Sequence, residues 1–559
     1  MKNKIVKLLS FSGLKNSELE ELIEVPKDFK MGDYSFPCFS LSKTLKKNPA
    51  EIAKDFSGKI QLSKEFEKVE SVGPYLNFFV DKKILAAKII EKITKEKDKY
   101  GSGKFEKGKV MIEFSQANTH KAFHVGHIRG TSLGESLARI LEFSGNKVLR
   151  VNYQGDTGMH VAKWIWCYQK YHSKEELEKD ESWIASIYVD AVKRLGKNEK
   201  LQEEVNEINK KLENKTDKDL VKLWKKTRKL SLDSFEKIYH ELNTKFDEYF
   251  FENEVEKEGK KISEELVKKK IAEISEGATI VDLKKDKLGV WVLLRSDGTV
   301  LYSAKDLALA EKKFSDFKID KSIYVVANEQ NLHLQQLFKT LELMKINLAD
   351  KCKHISYGMV RFPWGKMSSR SGDNVLYSDF KNELVNYSMK EVEKRFKDLE
   401  STEIYDRALA ISIASLKYSM LKQDTNKNLI FDPKKSLSFE GDTGPYILYS
   451  YARALSILKK AEYNQRRKFE IEKISDSEKK LIVELGNFPE IVKSASKTLS
   501  PNLIANYSFQ LAKTFSEFYH NCQVIGSEEE QFRLKLVDSF SQVIKNALSL
   551  LGIPVIREM

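Results

Sequence analysis

No CxxC pair, no cysteine and histidine cluster at metal-ligand spacing, no run approaching a membrane span and no repeat at solenoid spacing occur in this chain. The four cysteines, Cys38, Cys167, Cys352 and Cys522, stand far apart, which argues against structural zinc and for a reducing compartment. The opening MKNKIVKLLSFSG holds one lysine-flanked apolar run, too short and too soon followed by charge for a signal peptide. A cytoplasmic protein without membrane contact is expected. Charge balance is lacking too: 96 Lys and Arg against 82 Asp and Glu give a net +14, which favours a polyanionic partner and also reflects a lysine-rich background. At 559 residues the chain has room for three or four domains.

Residues 110–144, VMIEFSQANTHKAFHVGHIRGTSLGESLARILEFS, read as strand, polar loop and helix. Val110, Ile112 and Phe114 alternate with polar or outward residues, and Leu133, Leu137, Ile140 and Leu141 then recur at helical spacing. His124 and His127 fall three residues apart at the helix start, on one face of its first turn. Unpaired N–H groups there attract anions, two histidines can add donors for phosphate oxygens, and Gly126 lets a flat ring approach the backbone. Far downstream, Gly365-Lys366-Met367-Ser368-Ser369-Arg370-Ser371-Gly372 is a loop of small, hydroxyl and cationic residues suited to closing over a phosphate chain.

The two motifs, in this order, resemble those of class I aminoacyl-tRNA synthetases. Glu113-Phe114-Ser115, Asn118, Lys121, Tyr302 and Asp306 in LYSAKD, Gln330 in NEQNLH, and SFEGDTGPY at 438–446 narrow the resemblance to arginyl-tRNA synthetases over nearly the whole chain. It implies a multidomain α/β plus all-α architecture. Residues 1–93 would be an N-terminal α+β module that binds the tRNA elbow, and 94–109, charged and glycine-containing, a linker. A Rossmann-like catalytic domain would cover 110–385, split by a Lys/Glu-rich helical insertion at about 163–271. A helical connecting region at 386–430 and a helical anticodon-binding bundle at 431–559 would follow, strands disappearing after 386.

Local signals within this frame are specific. Asn48-Pro49-Ala50-Glu51 predicts a capped helix start and Asp81 another. Ser296-Asp297-Gly298-Thr299 predicts a hairpin turn, and Ser322–Val326 a buried parallel strand with His333 one turn into the next helix. Proline and glycine punctuate the C-terminal region at Pro433, Gly441, Gly444, Pro445, Pro489 and Pro501. Asp156, at a strand end in QGDTG, either faces the pocket or caps its own turn.

The resemblance implies the chemistry. ATP and L-arginine would form arginyl-adenylate, and arginine would pass to the terminal adenosine of tRNA(Arg), with tRNA needed for activation. His124, His127, Lys121 and Lys366 would be catalytic, and Gly126, Met367, Ser368, Ser369 and His333 would contact ATP. Glu113, Ser115, Asn118, Tyr302, Asp306 and Gln330 would hold arginine, because a guanidinium demands an anionic, hydrogen-bonding slot. Magnesium would arrive on the ATP phosphates, without a structural metal. The family's second loop lysine is missing, with Ser369 in its place; Lys121 stands where related enzymes carry a compensating lysine. Ala117 and Thr157 also depart from the family pattern, at the pocket rim. For tRNA, Phe36 in GDYSF and Tyr446, Tyr449 and Arg453 in GPYILYSYAR are the candidates, with core packing the alternative for Phe36 and Tyr446. A monomer is expected from the resemblance. A non-catalytic tRNA-binding relative is opposed by the intact histidines, Lys366, Asp306 and Asn118. A cysteine-activating enzyme would call for zinc ligands, and a glutamate-activating one for cations where Glu113 and Asp306 stand.

Overall fold

A computed structural model describes residues 2–26, 31–105, 107–346, 348–363 and 376–559. The chain forms two compact units, one of residues 1–97, 458–486 and 514–540, the other of 98–457, 487–513 and 541–559.

In the smaller unit, strands β1 (Tyr34–Pro37), β2 (Phe66–Val72) and β3 (Tyr75–Val80) form an antiparallel sheet in the order β1-β3-β2. Phe36, Leu76, Phe78 and Val80 point into one core with Leu41, Ile52 and Ala53. The predicted caps are present: Asn48 accepts from Ala50 N at 2.9 Å and Asp81 from Ile84 N at 2.8 Å. The second helix, Lys82–Glu96, continues into the stretch read as linker, because Ile90 and Ile93 sustain its buried face. Lys479, from the C-terminal helical region, pairs with Asp33 of this module at 3.5 Å.

The larger unit is built on a five-stranded parallel sheet. Its strands are β4 (Lys109–Glu113), β5 (Lys147–Gln154), β6 (Glu248–Phe251), β10 (Lys321–Ala327) and β11 (Cys352–Tyr357), ordered β11-β10-β4-β5-β6. Between them in sequence, β7 (Glu273–Ser275), β8 (Ala278–Asp282) and β9 (Val290–Leu294) make a small antiparallel sheet. The chain leaves β4 in one direction toward β5 and returns on its other side as β10, so the crevice outside the carboxyl ends of β4 and β10 is the switch point where such sheets take ligands.

Two expectations are corrected here. The insertion at about 163–271 is not purely helical, since β6 lies inside it and extends the main sheet; four residues, EYFF, are too short to show a period. Strands also persist past 386, as β12 (Val360–Arg361) pairs with β13 (Leu429–Ile430). In the C-terminal region the helices span Ser401–Leu421, Gly444–Lys460, Asp476–Thr498, Pro501–Asn521 and Glu530–Leu550. Pro489 does not break its helix but lies inside it. Among the described residues no helix is long and apolar enough to cross a membrane.

Candidate active site

Between β4 and the helix Val125–Phe143 the chain turns sharply: Ser115 and Gln116 adopt φ of 77° and 52°, a region costly for residues with a side chain. Surrounding bonds hold it there. Thr131 Oγ1 donates to Ser115 Oγ at 2.9 Å, Ser115 Oγ meets Tyr239 Oη at 3.0 Å, and Gln116 N donates to Asn152 Oδ1 at 3.1 Å. The turn opens a cavity of about 560 Å³ at the carboxyl ends of β4 and β10. Into it face Glu113, Ser115, Asn118, His124, Gly126, His127, Tyr302, Asp306, Gln330 and His333, so ten residues singled out from sequence meet in one place.

At the helix start His124 is the N-cap, its Nδ1 accepting from Gly126 N at 3.2 Å, and His127 Nδ1 accepts from His124 N at 3.1 Å. Each ring therefore keeps its proton on Nε2, the nitrogen left to donate to a ligand. The imidazoles stack with centroids 3.9 Å apart. Burial pushes His124 down to about 4 and, with the neighbouring His124 and Lys121, takes His127 well below the ordinary histidine value. Both are neutral donors near pH 7. A Cβ at Gly126 would sit 2.9 Å from His124 Cε1, so glycine there lets the capping ring fold back.

Lys121 is partly buried, which lowers its pKa, with Lys163 adding to the effect. Its Nζ lies 5.4 Å from the Tyr188 ring centroid. The Lys366 loop, with Met367, Ser368, Ser369 and Arg370, lies outside the described residues.

On the other wall the acids are already engaged, with one exception. Lys313, fully buried, places Nζ 2.5 Å from Glu113 Oε2, while Gln116 donates to Glu113 Oε1 at 3.1 Å. Lys305 lies 3.3 Å from Glu252. Asp156 is bound by Arg228 at 2.6 Å and by Asn253. It thus clasps the insertion to the sheet end, a role neither of its two readings named, since its described side-chain partners lie on later segments and not in its own turn, and it is not among the residues lining the cavity. Of Glu113, Glu252, Asp156 and the part-buried Asp306, Asp306 is the one whose described partner is no lysine or arginine: His333 Nε2 lies 2.6 Å from its Oδ2. His333, grouped with the ATP contacts from sequence, belongs beside Asp306 because the helix Asn331–Leu343 turns its ring toward the helix Tyr302–Phe317. Tyr302, 57% exposed, covers that ring at 4.7 Å. Gly155 must be small, since a Cβ there would meet Asn118 Oδ1 at 2.3 Å.

Sequence reasoning missed four groups here: Lys313, Trp291, and the buried hydroxyls of Tyr153 and Tyr324. Lys313 had a signal, because Tyr302, Asp306, Leu309 and Lys313 fall on one helical face.

Among the tRNA candidates Phe36 is corrected: it is fully buried in the core of the N-terminal module and presents no ring to a base. Exposed rings of that module include Phe11 and Phe39, the latter edge-on to Tyr75 at 5.6 Å. Tyr446, Tyr449 and Arg453 are half-buried; Tyr446 packs 5.9 Å from Phe509, and Arg453 donates to Tyr449 Oη at 3.1 Å.

One grouping was invisible in sequence. Cys167, His172 and Asp190 bring donor atoms within 4.8 Å of one another, but Arg194 Nε lies 2.7 Å from Asp190 Oδ2 and already neutralises that carboxylate.

The family model for "tRNA synthetases class I (R), catalytic domain" matches residues 89–433, that for the "Arginyl tRNA synthetase N terminal domain" 1–80, and that for the "DALR anticodon binding domain" 447–559. Arginine–tRNA ligase of Clostridium perfringens is 39% identical over 553 residues, covering 98% of this chain and 97% of the relative. That of Clostridium acetobutylicum is 39% identical over 546 residues, covering 97% and 96%. Among solved structures, Thermus thermophilus arginyl-tRNA synthetase superposes with a TM-score of 0.82 at 26% identity, covering 100% of this chain and 99% of that one. The Plasmodium falciparum arginyl-tRNA synthetase shares the fold, with a TM-score of 0.79 at 23% identity and the same coverage. With all three domains matched and near-full-length relatives at 39% identity, the chain belongs to the arginyl-tRNA synthetase family of class I aminoacyl-tRNA synthetases.

Proposed function

We propose that this protein is an arginine–tRNA ligase. The arginine carboxylate attacks the α-phosphate of ATP, pyrophosphate leaves, and the arginyl group passes to the 3′-terminal adenosine of tRNA(Arg). The observation that carries this reading is the charge accounting inside the cavity: Glu113 and Glu252 each have a protein cation, the part-buried Asp306 has a histidine instead, and the remaining carboxylate, Glu329, is exposed at the rim. A positively charged planar side chain completes that account, and a negatively charged one does not.

The remaining roles rest on position for the described residues and on the family resemblance for Lys366 to Ser369. His124 and His127 offer Nε2–H to the triphosphate without carrying charge, stabilising negative charge as it shifts toward the leaving pyrophosphate. Lys121 supplies positive charge beside them, and Lys366 with Met367, Ser368 and Ser369 acts from the downstream loop. Asn118 and Ser115 position the amino-acid end, Gln330 adds a polar contact, and Tyr302 walls the mouth. In-line placement and charge neutralisation are the main requirements of such a step. Magnesium enters on the phosphates; Glu113 and Glu252, paired with lysines, are not placed to cage it. For tRNA, Phe39 takes the place first given to Phe36, and Tyr446, Tyr449 and Arg453 serve the anticodon side. Binding of tRNA precedes activation. A cytoplasmic monomer follows from the family resemblance.

The test is Asp306→Asn, which keeps the shape and removes the charge. Arginine KM in pyrophosphate exchange should rise at least about 100-fold, the scale of a lost charge-assisted pair, with ATP KM little changed. Unchanged arginine KM would remove Asp306 from the guanidinium slot.

A further inference from the structure

The group that holds Asp306 is itself held. Trp291, on β9, donates its indole Nε1–H to His333 Nδ1 at 3.3 Å, and His333 Nε2 lies 2.6 Å from Asp306 Oδ2. An indole nitrogen donates only, so Nδ1 must accept and the imidazole proton must reside on Nε2, aimed at the carboxylate. Trp291 is buried, and its ring centroid is 5.6 Å from that of His333.

This arrangement differs from the neighbouring pairs in one way that matters. Lys313 cancels the charge of Glu113, whereas a singly protonated imidazole fixes the position of Asp306 and leaves its charge intact. A second proton on His333 would have to enter at Nδ1, against the indole N–H, and would convert the contact into an ion pair. Asp306 would then no longer offer its ligand an uncompensated, part-buried carboxylate.

We propose that Trp291 and His333 are positioning residues for amino-acid selection: the indole fixes the tautomer of His333, which orients Asp306 for a guanidinium without neutralising it. This rests on Asp306 receiving the guanidinium of arginine. The charged and titratable groups around the imidazole among the described residues are Asp306 and Tyr302 from the helix Tyr302–Phe317, and from β9 the indole of Trp291 donates to it. Behind Asp306, its charge is felt by the hydroxyls of Tyr153 on β5 and Tyr324 on β10 and by Glu252. Lys313 is committed to Glu113 and Lys305 to Glu252, so neither substitutes for the histidine.

The experiment compares Trp291→Phe, His333→Asn and Asp306→Asn with the wild type in tRNA-supported, arginine-dependent pyrophosphate exchange. Trp291→Phe keeps an aromatic ring and deletes the N–H. Its arginine KM should lie within about threefold of wild type at about pH 8 and at least about tenfold above it at about pH 6, with kcat within about twofold throughout. His333→Asn, which cannot take the second proton, should raise arginine KM about tenfold at both pH values. Rejection of lysine relative to arginine should weaken in both variants. If Trp291→Phe follows the wild-type profile, or shows the same rise at both pH values, the tautomer lock is overturned. A direct reading on the wild type uses labelled-histidine NMR: His333 should be the neutral Nε2–H form, and an Nδ1–H form overturns the proposal without any variant. Should Asp306→Asn leave arginine KM unchanged, the guanidinium assignment fails; should it lose arginine while Trp291→Phe behaves as wild type, only the relay fails.

Discussion

Replacing Lys313 with methionine tests how the arginine pocket is charged. The Lys313 side chain is fully buried, its Nζ is 2.5 Å from a Glu113 carboxylate that is only 5% exposed, and the same ammonium lies 4.1 Å from the Tyr324 ring centroid. Two unit charges about 3 Å apart at an effective dielectric constant of about 20 attract by about 6 kcal/mol, and desolvation offsets part of this. Removing one partner of such a pair costs about 3–5 kcal/mol, because the other charge is left buried and alone. Lys313→Met should therefore destabilise the larger unit by about 3–5 kcal/mol, and adding Glu113→Gln should return most of that loss. Fluorescence-detected urea unfolding reads this cleanly: all six tryptophans lie between residues 164 and 364, inside the larger unit. A single variant that shifts stability by less than about 1 kcal/mol, or a double variant no better than the single, would refute the reasoning.

Two further outcomes follow from neighbouring groups. Lys417 is fully buried, donates from Nζ to Leu242 O at 2.6 Å, and is pushed down to about 7 by burial, with Glu135 opposing and Arg139 adding to the shift. From about pH 7 to its ordinary value the unfolded chain holds the extra proton, so stability should climb by about 2 kcal/mol between about pH 7 and about pH 9. Lys417→Met should abolish that climb in urea unfolding, and equal slopes would count against it. Lys121→Ala should slow arginyl-adenylate formation by about 10–100-fold in single-turnover assays with arginine KM within about twofold; a near-normal rate would remove its phosphate role.

Much of the site was legible in sequence, for physical reasons that can be named. His124, Gly126 and His127 stand at a helix start, where residue type and spacing are dictated by unpaired N–H groups, so their juxtaposition needs no tertiary knowledge. Tyr302 and Asp306 were readable together because four residues make one turn, and Asn48 and Asp81 because caps are local. What stayed hidden depends on contacts across the fold. Lys313 reads as one lysine among many until β4 is laid against its helix; Trp291 and His333 are 42 residues apart and meet only through the small sheet. Phe36 was misplaced because an aromatic after Tyr34 in a β-strand alternates in or out, and only pairing with β3 shows that its side faces the core. β6 escaped because four aromatic and acidic residues between long amphipathic helices carry no period of their own.

Labelled pyrophosphate exchange into ATP, run with and without arginine and with and without total tRNA, tests the central claim most directly. Exchange that appears with arginine and tRNA together, and with no other amino acid in place of arginine, is the predicted result. Absence of exchange under every combination, in a preparation that still binds tRNA, would contradict it and leave a tRNA-binding protein without activation chemistry.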